Sequence, residues 1–279
     1  MNAGRLNIII PAHNEESVIG RTLQVLLQGA GADELDVIVV CNGCSDGTAA
    51  LVRSRFPSVT VLERDEASKT AAINAGIAAV GGGAVLLLDA DIELDTDAAR
   101  ALLEAVSRPG VEAAIGHMVA DTDGAHWMVR AFYRVWMEHP YLRNGKFAAA
   151  IALSSAGLAR LGTLPRVTAD DSYLRRVIPS ERVAVLDLVR FLVRTPRTVR
   201  SLVRVRSRSY RGNRELDSCG LADFSGEAQG LLRRIAAQPG LWPAACIYLV
   251  ITLAARGLSR RHTGTRWERD LTTRIPSTR

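Results

Sequence analysis

The sequence predicts an α/β fold with a mostly parallel sheet, on three observations. Short all-apolar segments alternate with amphipathic ones through the N-terminal half. Those segments are runs of Val, Ile and Leu without polar interruption, the pattern of strands covered on both faces. Polar, motif-like loops follow them, and ligands of open parallel sheets bind at the carboxyl ends of the strands.

In order, residues 6–11 read as the first strand, and residues 16–29 as a helix presenting Val18, Ile19, Leu23, Leu26 and Leu27. A second strand occupies 35–41. Ser45-Asp46-Gly47-Thr48 then opens a helix running to Phe56, with Ser45 or Asp46 as N-cap. A third strand covers 59–62, a helix 69–80, and a fourth strand 84–88 that ends abruptly in Asp89. A helix over 96–107 and a strand over 113–117 follow. Beyond them the pattern becomes α+β: an aromatic stretch at 127–136, a small-residue strand near 148–154 and a helix over 171–178. There is no internal repeat. Residues 215–279 form a compositionally distinct tail. Four strand-end loops stand out as candidate ligand sites: 11–16, 42–48, 64–69 and 89–95.

At 279 residues the chain can bury a sizeable core, and 48% hydrophobic with 23% charged residues is ordinary globular composition, not disorder. The net charge of +6 is concentrated: residues 190–214 hold nine arginines and no acid. Local basicity points to one anionic surface or ligand and away from general nucleic-acid binding. The four cysteines make no disulfide framework in a chain of this length. The opening apolar segment is too short for the core of a signal peptide, so the expected location is cytoplasmic.

No G-x-G-x-x-G follows the first strand and no P-loop is present, which removes the common dinucleotide and P-loop readings. Asp89-Ala90-Asp91 lies directly after a buried strand. Its i, i+2 spacing on a continuing extended chain puts both carboxylates on one side, and carboxylates that close repel unless a hard divalent cation sits between them. The acids at 89, 91, 93 and 95 do not make a calcium loop, since Leu94 stands where glycine is needed and Arg100 where glutamate is. Asp170-Asp171 either caps the helix that follows or supplies a general base for an acceptor hydroxyl. Cys41-x-x-Cys44 has redox spacing, but no further ligands cluster near it in the sequence.

Taken together these residues resemble the family 2 glycosyltransferases of the GT-A fold, over roughly residues 5–212. IIIPAHNEE is similar to the family's I-I-P-x-x-N-E-E, and VIVVCNGCSDGT to V-V-D-D-G-S-x-D-G-T. KTAAINAG resembles G-K-G-x-A-x-N-x-G, and LLLDADIELD the D-x-D strand. KFAAAIALSSAGLARLGTLP resembles the segment before the acceptor loop, and TADDSYL the T-E-D-x-x-L segment. The resemblance implies a GT-A-like three-layer sandwich and a nucleotide-sugar donor contacted by Pro11, Glu15, Asn42, Lys69, Asp89 and Arg208. It also implies Mg²⁺ or Mn²⁺ at Asp91 with Asp89, and Asp171, beside Asp170, as the base of an inverting transfer. Two departures matter. Cys41-Asn42 replaces an acidic pair, which loosens uridine specificity. VRSRSY supplies Arg208 but neither Gln nor Trp of the processive Q-x-x-R-W, which argues for single transfer. A nucleotidyltransferase on a similar fold and a catalytically silent membrane-surface protein are the rival readings.

Arginines at 190, 194, 197, 204, 208 and 211 recur at helical spacing, so one basic helical face is expected there, with Pro196 as a candidate interruption. The apolar run 241–255, at 15 residues, falls short of the ~20 that span a bilayer. Basic face and apolar run together predict peripheral attachment to an anionic membrane at its inner face and suggest a lipid-linked or membrane-borne acceptor, with a sugar or small-molecule acceptor left open. The expected division is a transferase domain over 1–214 (nucleotide half about 1–117, acceptor half about 118–214) and a helical extension over 215–279.

Overall fold

The computed structural model describes residues 5–143, 145, 147–221 and 227–261. Lys146 of the acceptor-side motif and the last part of the tail, 262–279, lie outside the described residues. The elements in chain order are β1 (Leu6–Ala12), α1 (Ile19–Leu27), β2 (Leu35–Asn42), α2 (Thr48–Arg55), β3 (Thr60–Arg64), α3 (Lys69–Val80), β4 (Val85–Leu88) and α4 (Thr96–Ala105). They continue with β5 (Ala113–Asp121), α5 (Trp127–Trp136), α6 (Pro140–Arg143), β6 (Ala150–Leu153), α7 (Ser155–Leu161), α8 (Asp170–Val177), β7 (Val183–Arg194), α9 (Val199–Ser218), α10 (Glu227–Ala237) and α11 (Trp242–Arg261).

The seven strands form one sheet in the order β3-β2-β1-β4-β6-β5-β7. β1 runs parallel to β2 and β4, and β2 to β3, while β6 is antiparallel to both β4 and β5. The mixed, mostly parallel α/β sheet is the expected one. By contacts the chain divides into two units: 1–117 with 147–166 and 170–192, and 118–146 with 167–169 and 193–279.

In the first unit the β-branched runs of β1 and β2 form the core. Ile8, Ile9, Ile10, Val39 and Val40 are wholly buried, as is Leu86 of β4. α3 lies against β1 through Gly76, where a Cβ would stand 2.4 Å from Ile9 Cγ2. Ser68 caps α3 by accepting from the Ala71 amide at 3.3 Å, and Gly81 ends it at φ 71°, the left-handed geometry glycine adopts without cost.

Three local expectations are corrected. The N-cap position of α2 is Gly47, not Ser45 or Asp46; Asp46 Oδ1 instead accepts from the Thr48 amide at 3.1 Å and from the Thr48 hydroxyl. The arginines of 190–211 do not share a helical face. Arg190 and Arg194 lie on strand β7, and α9 starts only at Val199, capped by Thr198 after Pro196. Proline cannot continue a helix across its own nitrogen, and the residues before it alternate with period two: Val189 and Phe191 are buried, Leu188 is 96% exposed. Finally, the apolar run sits in a helix longer than itself. Counting its leading turn, the segment 239–261 is long and apolar enough to cross a membrane by length and composition.

The second unit is helical. Val129, Phe132 and Tyr133 of α5 are buried with Leu202 of α9 and Ile251 of α11. Phe132 stacks on Tyr248 with ring centroids 4.9 Å apart. Two arginines are accommodated by aromatic faces: Arg206 lies 4.9 Å from the Trp136 ring centroid and 5.3 Å from that of Tyr210, and Arg256 lies 5.3 Å from Tyr210.

Candidate active site

All the sequence-singled residues except Arg208 fall in the first unit: Pro11, Glu15, Asn42, Lys69, Asp89 and Asp91 in or after its parallel strands β1 to β4, and Asp170 and Asp171 at the start of α8. Arg208 lies on α9 in the second unit.

The loops after β1 and β2 are tied together by side chains. Asn14 adopts φ 54°, a left-handed conformation that asparagine tolerates, and its Oδ1 accepts from the Ser45 amide at 2.6 Å and the Asp46 amide at 3.2 Å. The buried Glu15 donates its amide to Thr48 Oγ1 at 2.8 Å, and Glu16 Oε2 accepts from the Gly47 amide at 3.0 Å. His13 Nδ1 donates to the Asn42 carbonyl at 2.5 Å. Gly43, at φ 57°, fits because a Cβ there would stand 2.9 Å from the Ala67 backbone nitrogen. The sulfur of Cys44 accepts from the Asn14 amide at 3.3 Å, and a hydrogen bond from Cys41 holds its thiol pKa down to about 6 against the effect of burial. These two cysteines therefore serve the loop lattice. Pro11 lies in β1, in register with Val40.

Asn42, to which the resemblance assigns a nucleotide contact, has a role inside the fold itself. It is wholly buried, and Nδ2 donates to the Ala12 carbonyl at 2.8 Å, so it braces β1 against β2 from inside. Asn14 and Thr48 both set the loop geometry, and the sequence carries them only as letters of the N-E-E and D-G-T segments, without a role of their own. The signal in it was slight: small polar residues placed directly after strands.

Beyond β4 the chain does not continue extended. The Ile92 amide bonds back to the Asp89 carbonyl at 3.2 Å, so Asp89-Ala90-Asp91 forms a turn. Thr22 Oγ1 donates to the Ala90 carbonyl at 2.8 Å, and the Asp89 amide donates to the Ala149 carbonyl at 2.8 Å. Ala149 itself sits at φ 68°, a conformation rare for a residue with a Cβ. Glu93 pairs with Arg21 at 2.5 Å.

The D-x-D turn and the second acid pair meet at Lys69. Its Nζ lies 2.7 Å from Asp89 Oδ1 and 2.8 Å from Asp170 Oδ2, so one lysine bridges two carboxylates, one from the turn after β4 and one from the start of α8. Burial alone would lower the Lys69 pKa; Asp170 and Asp89 overcome it and hold the ammonium charged. Burial raises the Asp89 carboxyl, Lys69 opposes this, and the negative charges of Asp170 and Asp91 add to the rise. Asp171 follows on the first turn of α8, where its Oδ1 accepts from the Ser172 amide at 2.7 Å.

Among the described residues no group of three or more His, Cys, Asp or Glu side chains is placed to hold a metal ion. Asp89 and Asp91 are nevertheless hard oxygen donors of the type Mg²⁺ and Mn²⁺ select. Mg²⁺ commonly sits on one or two carboxylates plus substrate phosphate oxygens. The crowded acid pair fits a cation shared with a diphosphate, not one caged by protein.

Residues 7–155 match the family described as Glycosyl transferase family 2. A segment is 33% identical over 95 residues to the probable glycosyltransferase YdaM of Bacillus subtilis (strain 168), covering 31% of this chain and 23% of that protein's length. Among solved structures, the mannosyltransferase PcManGT from Pyrobaculum calidifontis, in complex with GDP-Man and Mn²⁺, aligns with a TM-score of 0.61 at 22% identity, over 93% of this chain and 76% of that one. Glucosyl-3-phosphoglycerate synthase from Mycobacterium tuberculosis, with Mn²⁺, UDP and phosphoglyceric acid, aligns at 0.58 and 18% identity, over 80% of this chain and 81% of that one. At these identities the two structures establish the fold.

Proposed function

The chain belongs to glycosyl transferase family 2, and from that premise we propose that it moves a single sugar from a UDP- or GDP-sugar to a hydroxyl acceptor, inverting the anomeric centre. The observation that carries the reading is the meeting of Asp89, Asp170 and Lys69 at the carboxyl end of β4, directly beside Asp91. Asp91 and Asp89 would hold Mg²⁺ or Mn²⁺, and the bound cation would supply charge neutralisation for the departing diphosphate. Lys69 would turn from the acids to the donor's phosphates.

Asp171 is the proposed base. It follows Asp170, the partner of Lys69, on the first turn of α8. The acceptor's O–H proton passes to the Asp171 carboxylate while its oxygen bonds to the anomeric carbon. The bond from that carbon to the diphosphate oxygen breaks, and the nucleoside diphosphate leaves with the electron pair. One displacement needs one base, with no covalent enzyme intermediate. The absence of Gln and Trp around Arg208 supports single transfer.

The proposed division of labour follows: donor binding by 1–117, acceptor binding by 118–214, and attachment through 215–279 at the inner face of the membrane. The acceptor is lipid-linked or otherwise membrane-borne. A panel of UDP- and GDP-sugars assayed for Mn²⁺-dependent hydrolysis tests the reading. Turnover of at least one donor, lost in EDTA, is expected; no turnover of any nucleotide sugar with metal present would overturn it.

A further inference from the structure

α11 carries apolar side chains on two sides, and only one of them is covered. Ala244, Ile251, Thr252, Ala255 and Ser259 are buried, on a helix that packs against α5 and α9 of the same unit. On the outside Trp242 is 56% exposed, Leu249 56%, Val250 60% and Leu253 56%, with Cys246 exposed between them. Positions 242, 246, 249, 250 and 253 recur every three to four residues, so they line one stripe about three turns long. Leu232, 66% exposed on the neighbouring α10, adds a further bare apolar side chain to this unit. The whole of α11 contains no acid, and beyond the stripe it ends in Arg256, Arg260 and Arg261.

A run of bare apolar side chains leading into arginines matches a bilayer carrying anionic headgroups: hydrocarbon for the stripe, phosphates for the cations. The inner side of the helix argues against crossing the bilayer. Arg214 Nη1 donates to Ser259 Oγ at 2.7 Å and its Nη2 to the Ser259 carbonyl at 2.5 Å, and Arg256 rests on Tyr210. A spanning helix would either lose these partners or carry the arginines of α9 into hydrocarbon. A second copy of the chain is the poorer occupant, because five side chains make a small patch beside the ~800 Å² per partner of a stable interface.

We propose that α11 lies in the plane of an anionic membrane surface, its Trp242–Cys246–Leu249–Val250–Leu253 stripe in the acyl boundary and Arg260 and Arg261 on the headgroups. The proposal deepens the membrane-borne acceptor reading above by giving it a surface. It also relocates the basic part of the attachment from the arginines of 190–211, several of which are half-buried, to the end of α11.

The test uses the full chain and sedimentation with vesicles of phosphatidylcholine alone or mixed equally with phosphatidylglycerol. Wild type should pellet with the mixed vesicles and be released by alkaline carbonate. Leu249→Gln with Leu253→Gln should weaken binding by tenfold or more on both surfaces. Arg260→Gln with Arg261→Gln should weaken it on the order of tenfold, on the anionic surface alone. Wild-type binding by the leucine variant would overturn the proposal, as would resistance to carbonate, which means a span. So would a lipid-free dimer that the leucine variant dissolves, which means a second copy. All these residues lie outside the catalytic unit, so donor hydrolysis should persist in each variant. Failure of hydrolysis in wild type counts against the transferase reading and leaves the vesicle result standing.

Discussion

Positive charge is held in two different ways in the two units. At the end of β4 a lysine is held between two carboxylates, Asp89 and Asp170, with a third acid, Asp91, adding to the negative field. In the helical unit Arg206 and Arg256 rest on the rings of Trp136 and Tyr210. The first arrangement is exchangeable. Three acids and one cation leave net negative charge, and a divalent ion with a diphosphate can replace the lysine's contacts. The second is permanent, since aromatic faces offer the arginines nothing a ligand would displace. Acids gathered around too little positive charge mark a site; cations gathered on rings mark a scaffold.

The largest effect expected of this contrast is at Asp91. Asp91→Ala should cut transfer by roughly 10³-fold or more, the scale of losing several kcal/mol of charge stabilisation, while circular dichroism remains that of a folded protein. Full activity of that variant in excess EDTA would end the metal reading. Asp171→Asn comes next. Its kcat should fall by about 10²–10⁴-fold with donor affinity little changed, whereas Asp170→Asn should affect donor affinity more than kcat. The reverse pattern in steady-state kinetics would make Asp170 the base.

Exchangeability itself is tested at Lys69. Lys69→Met leaves Asp89 and Asp170 facing each other and should cost about 1–3 kcal/mol in urea unfolding. That is less than the loss for a fully buried pair, because Asp89 keeps a third of its exposure. Added Mn²⁺ should restore more stability to this variant than it gives wild type; equal responses would show that lysine and metal do not share a place. Arg206→Lys should be milder, about 0.5–2 kcal/mol, because the ammonium cannot lie flat on Trp136, and the loss should not respond to Mn²⁺.

Much of the first unit was legible in the sequence. Strands β1, β2 and β4 are uninterrupted runs of Ile, Val and Leu, a pattern with one structural solution when helices alternate with it. The D-x-D and the second acid pair were legible as candidates, but their meeting at Lys69 was not, since pairing across β4, α3 and α8 is a product of topology. Asn42 is a donor contact by resemblance, and in the fold its Nδ2 also binds the Ala12 carbonyl, a bond that no sequence pattern announces. β7 was misread because its arginines happen to fall at helical spacing, while Val189 and Phe191 carry the period-two signal beneath them. The bare side of α11 was invisible for the opposite reason: apolar residues on both sides of a helix give no periodicity from which to choose a face.

Ala149 carries a last consequence. Its left-handed backbone, φ 68°, presents the carbonyl that receives the Asp89 amide. A residue with a Cβ held there gives up about 1–2 kcal/mol. Ala149→Gly should relieve that strain and, after the larger unfolded-state entropy of glycine, leave the protein more stable by ~1 kcal/mol or less in thermal unfolding. The same change loosens the strut behind Asp89, so the more stable enzyme should turn over more slowly. In this chain durability and rate pull against each other at a single methyl group, and a programme of thermostabilisation would do well to leave it alone.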